Sequence, residues 1–295
     1  MQQIAIDDPR WLTSVPRLVA PRPDEWLPGL LLRCDAANGW ASRTTFAHLL
    51  RIGRKSHHPY WKTATPNLVV LVPHSLNLND LAHMLATTTT AVRRTTYGDE
   101  LARIFGLAKV HPTLLSTSFV FQLCPACVAQ DRLLGRTLAL PYIQSCPQHQ
   151  LILQHRCRCG AMLQLFTKQT APFTCQQCGM AWADLPQQMA HPEQRLVEQQ
   201  VLAWYTFFFA TGTPTTVKRA LHLIERWPVQ HGGLLQENPG QRQAVRRRAA
   251  YRRRLLPLPL GRLIAALVER DLFLNDSLRE YLVAGEGDRC GPTLN

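Results

Sequence analysis

The chain has 295 residues, 46% of them apolar, and its 33 Lys+Arg against 20 Asp+Glu give a net charge of +13. This composition excludes wholesale disorder, and the length supports one large or two to three small domains with a sizeable core. Only five of the cations are lysine, and the planar arginine fork suits phosphates and base edges, so a polyanion is the expected partner.

Met1 to Arg10 carries Asp7 and Asp8 and no apolar core, which argues against a signal peptide. The longest apolar runs, such as Leu68–Val72 and Phe207–Ala210, fall far short of the roughly 18 residues of a membrane helix. The expectation is a cytoplasmic protein with no membrane contact, in a reducing compartment that favours metal over disulfide for paired cysteines. Composition divides the chain into an N-terminal helical region with a helix-turn-helix-like unit (1–123), a region of paired cysteines (124–185) and a C-terminal helical, arginine-rich region (186–295).

In the first segment Asp24 is placed as the N-cap of a helix in which Leu27, Leu30, Leu31 and Cys34 recur at helical spacing. Pro28 falls in its first turn, and Asn38-Gly39 ends it. Ser42 is suited to cap a second helix with Phe46, Leu49 and Leu50 on one face. After the strand-like run Leu68–Val72, Asn79 or Asn77 can cap a helix holding Leu81, Ala82 and Leu85. Thr87–Thr90 breaks that helix, and another from about Thr89 presents Arg93 and Arg94. This last pair has helix-turn-helix proportions, which makes Arg93 and Arg94 candidate DNA contacts; the turn holds no glycine, and plain helical packing gives the same pattern.

The second segment carries the strongest signal. Seven of the nine cysteines and one histidine fall in pairs: Cys124-Pro-Ala-Cys127, then 18 residues to Cys146-Pro-Gln-His149; Cys157-Arg-Cys159, then 15 residues to Cys175-Gln-Gln-Cys178. Four donors per half is the requirement of a closed tetrahedral zinc site, and short pairs let one tight turn aim two ligands at one ion. Proline after the first ligand (Pro125, Pro147) stiffens the turn, and glycine after the second (Gly160, Gly179) permits positive φ. Sequential closure gives one site of Cys124, Cys127, Cys146 and His149 and another of Cys157, Cys159, Cys175 and Cys178. It needs shorter loops than a crossed pairing. The single spacer of Cys157-Arg-Cys159 is tight, and His155 is near enough to substitute. Two structural Zn2+ ions are thus expected, each contributing on the order of 10 kcal/mol to an insert with little hydrophobic core. Cys34 reads as core and Cys290 as incidental in a polar tail.

In the third segment Pro192 starts a helix with Val197, Val201, Tyr205 and Phe208 as a buried stripe and Phe209 beside it. Gly212 ends it, and Val217, Leu221 and Ile224 mark the next helix. These aromatics read as core rather than as a base-stacking platform. Between Arg242 and Arg254 stand seven arginines and no acid. On a helix Arg242, Arg246 and Arg253 share a face that Arg247 and Arg254 adjoin, while Arg248 and Arg252 lie opposite. Charge on all sides suits a phosphate backbone better than a core, so the first five are candidate nucleic-acid contacts; a solvated linker ending at Pro257-Leu-Pro259 is the alternative.

Catalytic motifs are missing. There is no Gly-x-x-x-x-Gly-Lys-Ser/Thr loop and no His-Glu-x-x-His, and the acids are scattered, so the chain reads as no enzyme. Taken together, Pro21-Arg-Pro23-Asp24-Glu25, the Asn38-Gly39 turn, Cys124-Pro-Ala-Cys127, the run from Leu138 to His149, and the later Cys-x-Cys-Gly and Cys-x-x-Cys-Gly pairs form an ordered set. Over roughly residues 16–185 this set resembles the TniQ/TnsD family of transposon target-selection proteins. The residues read as a mainly α fold with two small zinc modules, and the resemblance implies a non-enzymatic adaptor that brings a AAA+ ATPase regulator, and through it the transposase, to a DNA site. Some members bind an attachment site directly; others dock on a CRISPR effector complex with its guide RNA. A homodimer is left open. The rival readings are a sequence-specific, zinc-containing DNA-binding regulator without transposition partners and a zinc-ribbon nuclease.

Overall fold

Helices carry the architecture. The computed structural model describes residues 17–42, 44–46, 78–107, 114–115, 121–165, 170–227 and 259–284. Among them β pairing is confined to isolated bridges, so the fold is mainly α as expected. No described helix is long and apolar enough to cross a membrane. The described residues divide into two compact units, one drawn from Met1–Thr96, Pro125–Arg136 and Gln154–Pro186, the other from Tyr97–Cys124, Thr137–Leu153 and Gln187–Asn295.

In the first unit, helix α1 (Leu27–Ala37) buries Leu27, Leu30, Leu31 and Cys34 completely, with Pro28 in its first turn and Asn38 as its C-cap. Gly39 follows at φ 67. Asp24 is not the cap. The helix starts after Trp26, and Asp24 sits at φ 54, where its carbonyl accepts the Arg136 N–H at 2.7 Å. The acid beside it, Glu25, is 1% exposed and takes a two-pronged bond from Arg33, both at 2.6 Å. Such a fork on a planar carboxylate offsets much of its desolvation. Residues 44–46 are helical with Phe46 buried, and the Ser42 hydroxyl donates to the Leu165 carbonyl at 3.3 Å. Leu49, Leu50, Leu68–Val72 and Asn77 lie outside the described residues.

Helices α2 (Leu78–Met84) and α3 (Thr89–Arg93) pack as a pair, burying Leu81, Ala82, Leu85 and Val92. Asn79 lies within α2 rather than capping it, and its Oδ1 accepts the Thr89 hydroxyl at 2.9 Å. Thr88 caps α3 by accepting the Ala91 N–H at 3.1 Å. The turn between them does need the left-handed conformation that glycine favours, but Ala86 supplies it at φ 47. The Thr87 N–H then reaches back to the Ala82 carbonyl at 2.9 Å, closing α2 with a Schellman bond. Helix α5 (Pro125–Asp131) packs against the 3-10 turn Trp182–Asp184 in the same unit.

In the second unit, α4 (Gly98–Phe105), α7 (Pro214–Arg226), α8 (Leu260–Val268) and α9 (Asp276–Val283) assemble with the long α6 (Pro192–Thr211). Pro192 opens α6 as expected, and Val201, Trp204, Tyr205, Phe207 and Phe208 are its buried face. Val197 is only half-buried and Glu198 takes the stripe position instead. The buried face of α7 runs over Val217, Ala220 and Leu223 rather than Val217, Leu221 and Ile224. Gly212 caps the end of α6, its N–H on the Phe208 carbonyl, and a Cβ there would lie 2.5 Å from that same oxygen, so the position requires glycine.

Arginines close the helix ends of this unit. Arg103 donates to the Phe209 and Gly212 carbonyls after α6, Arg270 to Ile224 and Trp227 after α7, and Arg219 to Tyr281 and Ala284 after α9. A cation at a helix C-terminus satisfies open carbonyls and complements the helix dipole.

Candidate metal centres

The structure gathers two sets of four donors. In each set, one ligand atom per residue lies within 4.8 Å of all the others: Cys124, Cys127, Cys146 and His149 in one, Cys157, Cys159, Cys175 and Cys178 in the other. These are the sequentially closed groups, and His155 belongs to neither. In the first set the three cysteines are buried and His149 half-buried; in the second Cys157 and Cys175 are buried while Cys159 and Cys178 are exposed.

Three of the ligand pairs sit on one kind of turn. Cys146 donates its N–H to the Leu151 carbonyl, while its own carbonyl accepts from Gln150, which stands at φ 57. Cys175 repeats this with Met180 and with Gly179 at φ 75. Cys157 does the same one residue sooner, with Ala161 and with Gly160 at φ 86. A short bridge closes each turn: Ser145 with Ile152, Thr174 with Ala181, Arg156 with Met162. The tight Cys157-Arg-Cys159 spacing is therefore the same turn shortened by one residue. The fourth pair is different, with Cys124 just ahead of α5 and Cys127 in its first turn. Amide hydrogens aim at sulfur in two of the turns, His149 N–H at Cys146 Sγ and Gln177 N–H at Cys175 Sγ, each 3.5 Å.

Distances test whether the donors fit a metal. Tetrahedral zinc with bonds of about 2.3 Å to sulfur and about 2.0–2.1 Å to nitrogen implies S···S edges of about 3.8 Å and S···N edges of about 3.6 Å. His149 Nδ1 lies 3.5 Å from Cys124 Sγ and 3.6 Å from Cys146 Sγ. Cys157 and Cys178 are 3.5 Å apart, Cys159 and Cys175 3.7 Å. A disulfide is excluded at these separations, since its sulfurs stand about 2.0 Å apart. Both sets fit a tetrahedral ion.

The thiols of the second set act on one another. Burial pushes Cys157 up to about 12, against the opposing N–H of Cys159. Burial raises Cys175 as well, but the N–H groups of Cys178 and Gln177 and the thiols of Cys157 and Cys159 hold it down to about 7. Four neighbouring thiolates repel one another, and only a shared cation lets all of them ionise near neutrality.

The TniQ family model matches residues 16–153. That segment, just under half of the chain, is similar to a TniQ domain. No curated protein matches the chain. The TniQ match associates the chain with transposition, and it takes in all four residues of the first set. It ends before Cys157, so the second set lies beyond it; the resemblance seen in the sequence had extended to about residue 185.

Arg93 and Arg94 fall inside the TniQ-matched residues, on the exposed side at the end of α3, where the Arg94 carbonyl accepts from the Arg136 guanidinium. Arg242, Arg246, Arg247, Arg253, Arg254 and Cys290 lie outside the described residues. Cys34 is fully buried, and burial pushes its thiol up to about 11. The insert that carries the second set is not short of core: Leu163, Leu165, Phe173, Trp182 and Leu185 are buried, with Phe173 edge-on to Trp182 at 5.8 Å. Sequence reading missed Glu198, Arg195 and Gln150, which surround the Cys146 turn. The signal available was an acid in register with Val201, Tyr205 and Phe208 on an otherwise apolar stripe.

Proposed function

We propose that this chain is a non-enzymatic adaptor for target-site selection in DNA transposition, with a structural zinc ion in each four-donor set. The observation that carries the reading is the coincidence of a TniQ match with a complete donor set inside it. Four protein donors fill a tetrahedral shell and leave no position for an activated water, so the metals serve shape rather than catalysis. Three thiolates and an imidazole leave one net negative charge around Zn2+, and four thiolates leave two; Arg156 and Arg158, both exposed, flank Cys157 in the more negative set.

In this reading the three sequence segments act as functional divisions. The N-terminal region, with α2–α3 as a helix-turn-helix-like unit, offers Arg93 and Arg94 to DNA. The metal-bearing region shapes a docking platform. The C-terminal region adds the 242–254 arginines as a phosphate-binding stretch. The partners are DNA, a AAA+ ATPase regulator and its transposase, reached either by direct DNA binding or by docking on a CRISPR effector with its guide RNA, as a monomer or a homodimer in the cytoplasm.

The test is reconstitution of transposition with the neighbouring genes, mapping insertion sites with and without this chain. An adaptor concentrates insertions at one target, and its removal scatters or abolishes them. An unchanged insertion map rejects the reading. Affinity capture of the ATPase or of a CRISPR effector then separates the two routes to the target.

A further inference from the structure

Helix α6 brackets the Cys146–His149 turn with two polar side chains. Glu198 is 5% exposed, and its Oε2 accepts both the Ser145 N–H, at 2.9 Å, and the Ser145 hydroxyl. Its other oxygen accepts from Gln194 one turn back, at 2.7 Å. Arg195, on the same side of the helix, donates to the Gln150 side chain. Ser145 immediately precedes one ligand of the first set, and Gln150 immediately follows another. Residues at both ends of the four-residue ligand turn are therefore fastened to one rigid element.

The backbone fastening is equally specific. Ile152 donates to the Gln188 carbonyl at 2.7 Å, and Ala190 to the Gln150 carbonyl at 2.8 Å, so the chain leading into α6 is laced to the same turn. Gln150 occupies the left-handed region at φ 57, the place that Gly160 and Gly179 take in the other two turns. A non-glycine residue is strained there, and its side-chain and carbonyl bonds to Arg195 and Ala190 help hold it.

Burying a carboxylate is costly unless its oxygens are satisfied, and an apolar residue would serve a plain core position on this stripe better. In the second set the corresponding residues bond within their own module: the Thr174 hydroxyl to the Ala171 carbonyl at 2.7 Å, and the Arg156 guanidinium to the Gly160 carbonyl at 3.1 Å. Only the first set draws on a distant helix in this way among the described residues. That helix lies outside the TniQ-matched residues.

We propose that Glu198 is a positioning residue for the first metal centre, holding the backbone ahead of Cys146 so that Cys146 Sγ and His149 Nδ1 converge, with Arg195 steadying the far end of the turn through Gln150. The inference rests on the metal reading of that set. Outer-sphere partners that orient metal ligands typically change metal affinity by about 10–100-fold when removed.

The test uses the full chain loaded with zinc, or with cobalt as a spectroscopic probe, and follows metal release to a chelator. Glu198→Ala is expected to release one equivalent about 10–100-fold faster than the parent while the other equivalent leaves at the parental rate. The cobalt absorption of the three-sulfur centre shifts, and that of the four-sulfur centre does not. Glu198→Gln, which keeps an acceptor for Ser145 and the shape of the side chain, falls between the two and decides the matter where the alanine variant does not fold. Arg195→Ala moves release in the same direction by less. Parental release rates and an unchanged cobalt spectrum in Glu198→Gln and Glu198→Ala overturn the positioning role alone. A parental protein that holds no metal in the first set overturns the metal reading beneath it.

Discussion

The two donor sets use nearly the same turn and almost the same chemistry, yet they are supported differently. The first buries its three cysteines, begins at a helix N-terminus and leans on α6 through Glu198 and Arg195. The second exposes two of its four cysteines and rests on a small core of its own, Phe173 against Trp182. Short-range turns thus suffice to gather ligands, whereas protection and rigidity come from whatever packs behind them. The buried set is expected to hold its ion kinetically, and the exposed set to exchange it.

The largest test of this contrast removes a ligand from each. Cys146→Ser and Cys175→Ser should each lower the metal content from two equivalents to one, since a structural zinc contributes on the order of 10 kcal/mol and a missing thiolate forfeits much of it. Chelator-induced release from the parent should show two phases. The fast phase is expected to disappear in Cys175→Ser and the slow one in Cys146→Ser. Equal rates for both sites would remove the distinction drawn here.

Next in size is the core beneath the second set. Trp182 is 1% exposed, and Trp182→Ala should cost about 3–5 kcal/mol in urea unfolding with metal bound. It should also accelerate release from the second set. A variant that unfolds like the parent would mean that metal alone organises residues 154–186.

Much of the first-set and second-set geometry was legible in the sequence because it is local. Cysteine pairs, the glycines after them and the Asn38-Gly39 stop all act within a turn, and the structure places each as the spacing implied. Misplaced features depend on distant residues. Asp24 looks like a cap but is pulled into the left-handed region while its carbonyl pairs with Arg136, so α1 starts at Leu27 without a side-chain cap. Arginine content is the subtler case. It suggested a polyanion surface, but Arg33 is committed to Glu25, and Arg103, Arg219 and Arg270 to helix ends. None of these pairings has a short sequence spacing that would announce it.

A smaller effect is expected at the α2–α3 turn, where the absence of glycine had counted against the helix pair. Ala86 adopts φ 47 there, a conformation that costs an L residue and costs glycine little. Ala86→Gly should stabilise the chain by about 0.5–1 kcal/mol, the relief of strain exceeding the added freedom of the unfolded chain. A higher urea midpoint at unchanged slope is the expected outcome. A lower midpoint would show that Ala86 is not held in the left-handed region in solution.

The smallest effect separates burial from ligand chemistry. Cys34 and Cys175 are both buried thiols, but burial drives Cys34 from 9.0 up to about 11, whereas amide hydrogens and neighbouring thiols hold Cys175 down to about 7. Because Cys34's folded value lies above its ordinary one, the neutral thiol is favoured by the fold. Its contribution to stability is complete below about pH 9 and lost as pH rises toward about 11. With metal bound, alkylation at pH 8 followed by peptide mass mapping should leave Cys34 unmodified, and reaction should begin only as the pH approaches the upper value. Rapid modification of Cys34 at pH 8 would mean that α1 opens readily, and that the burial separating this inert thiol from the donor sets is not maintained.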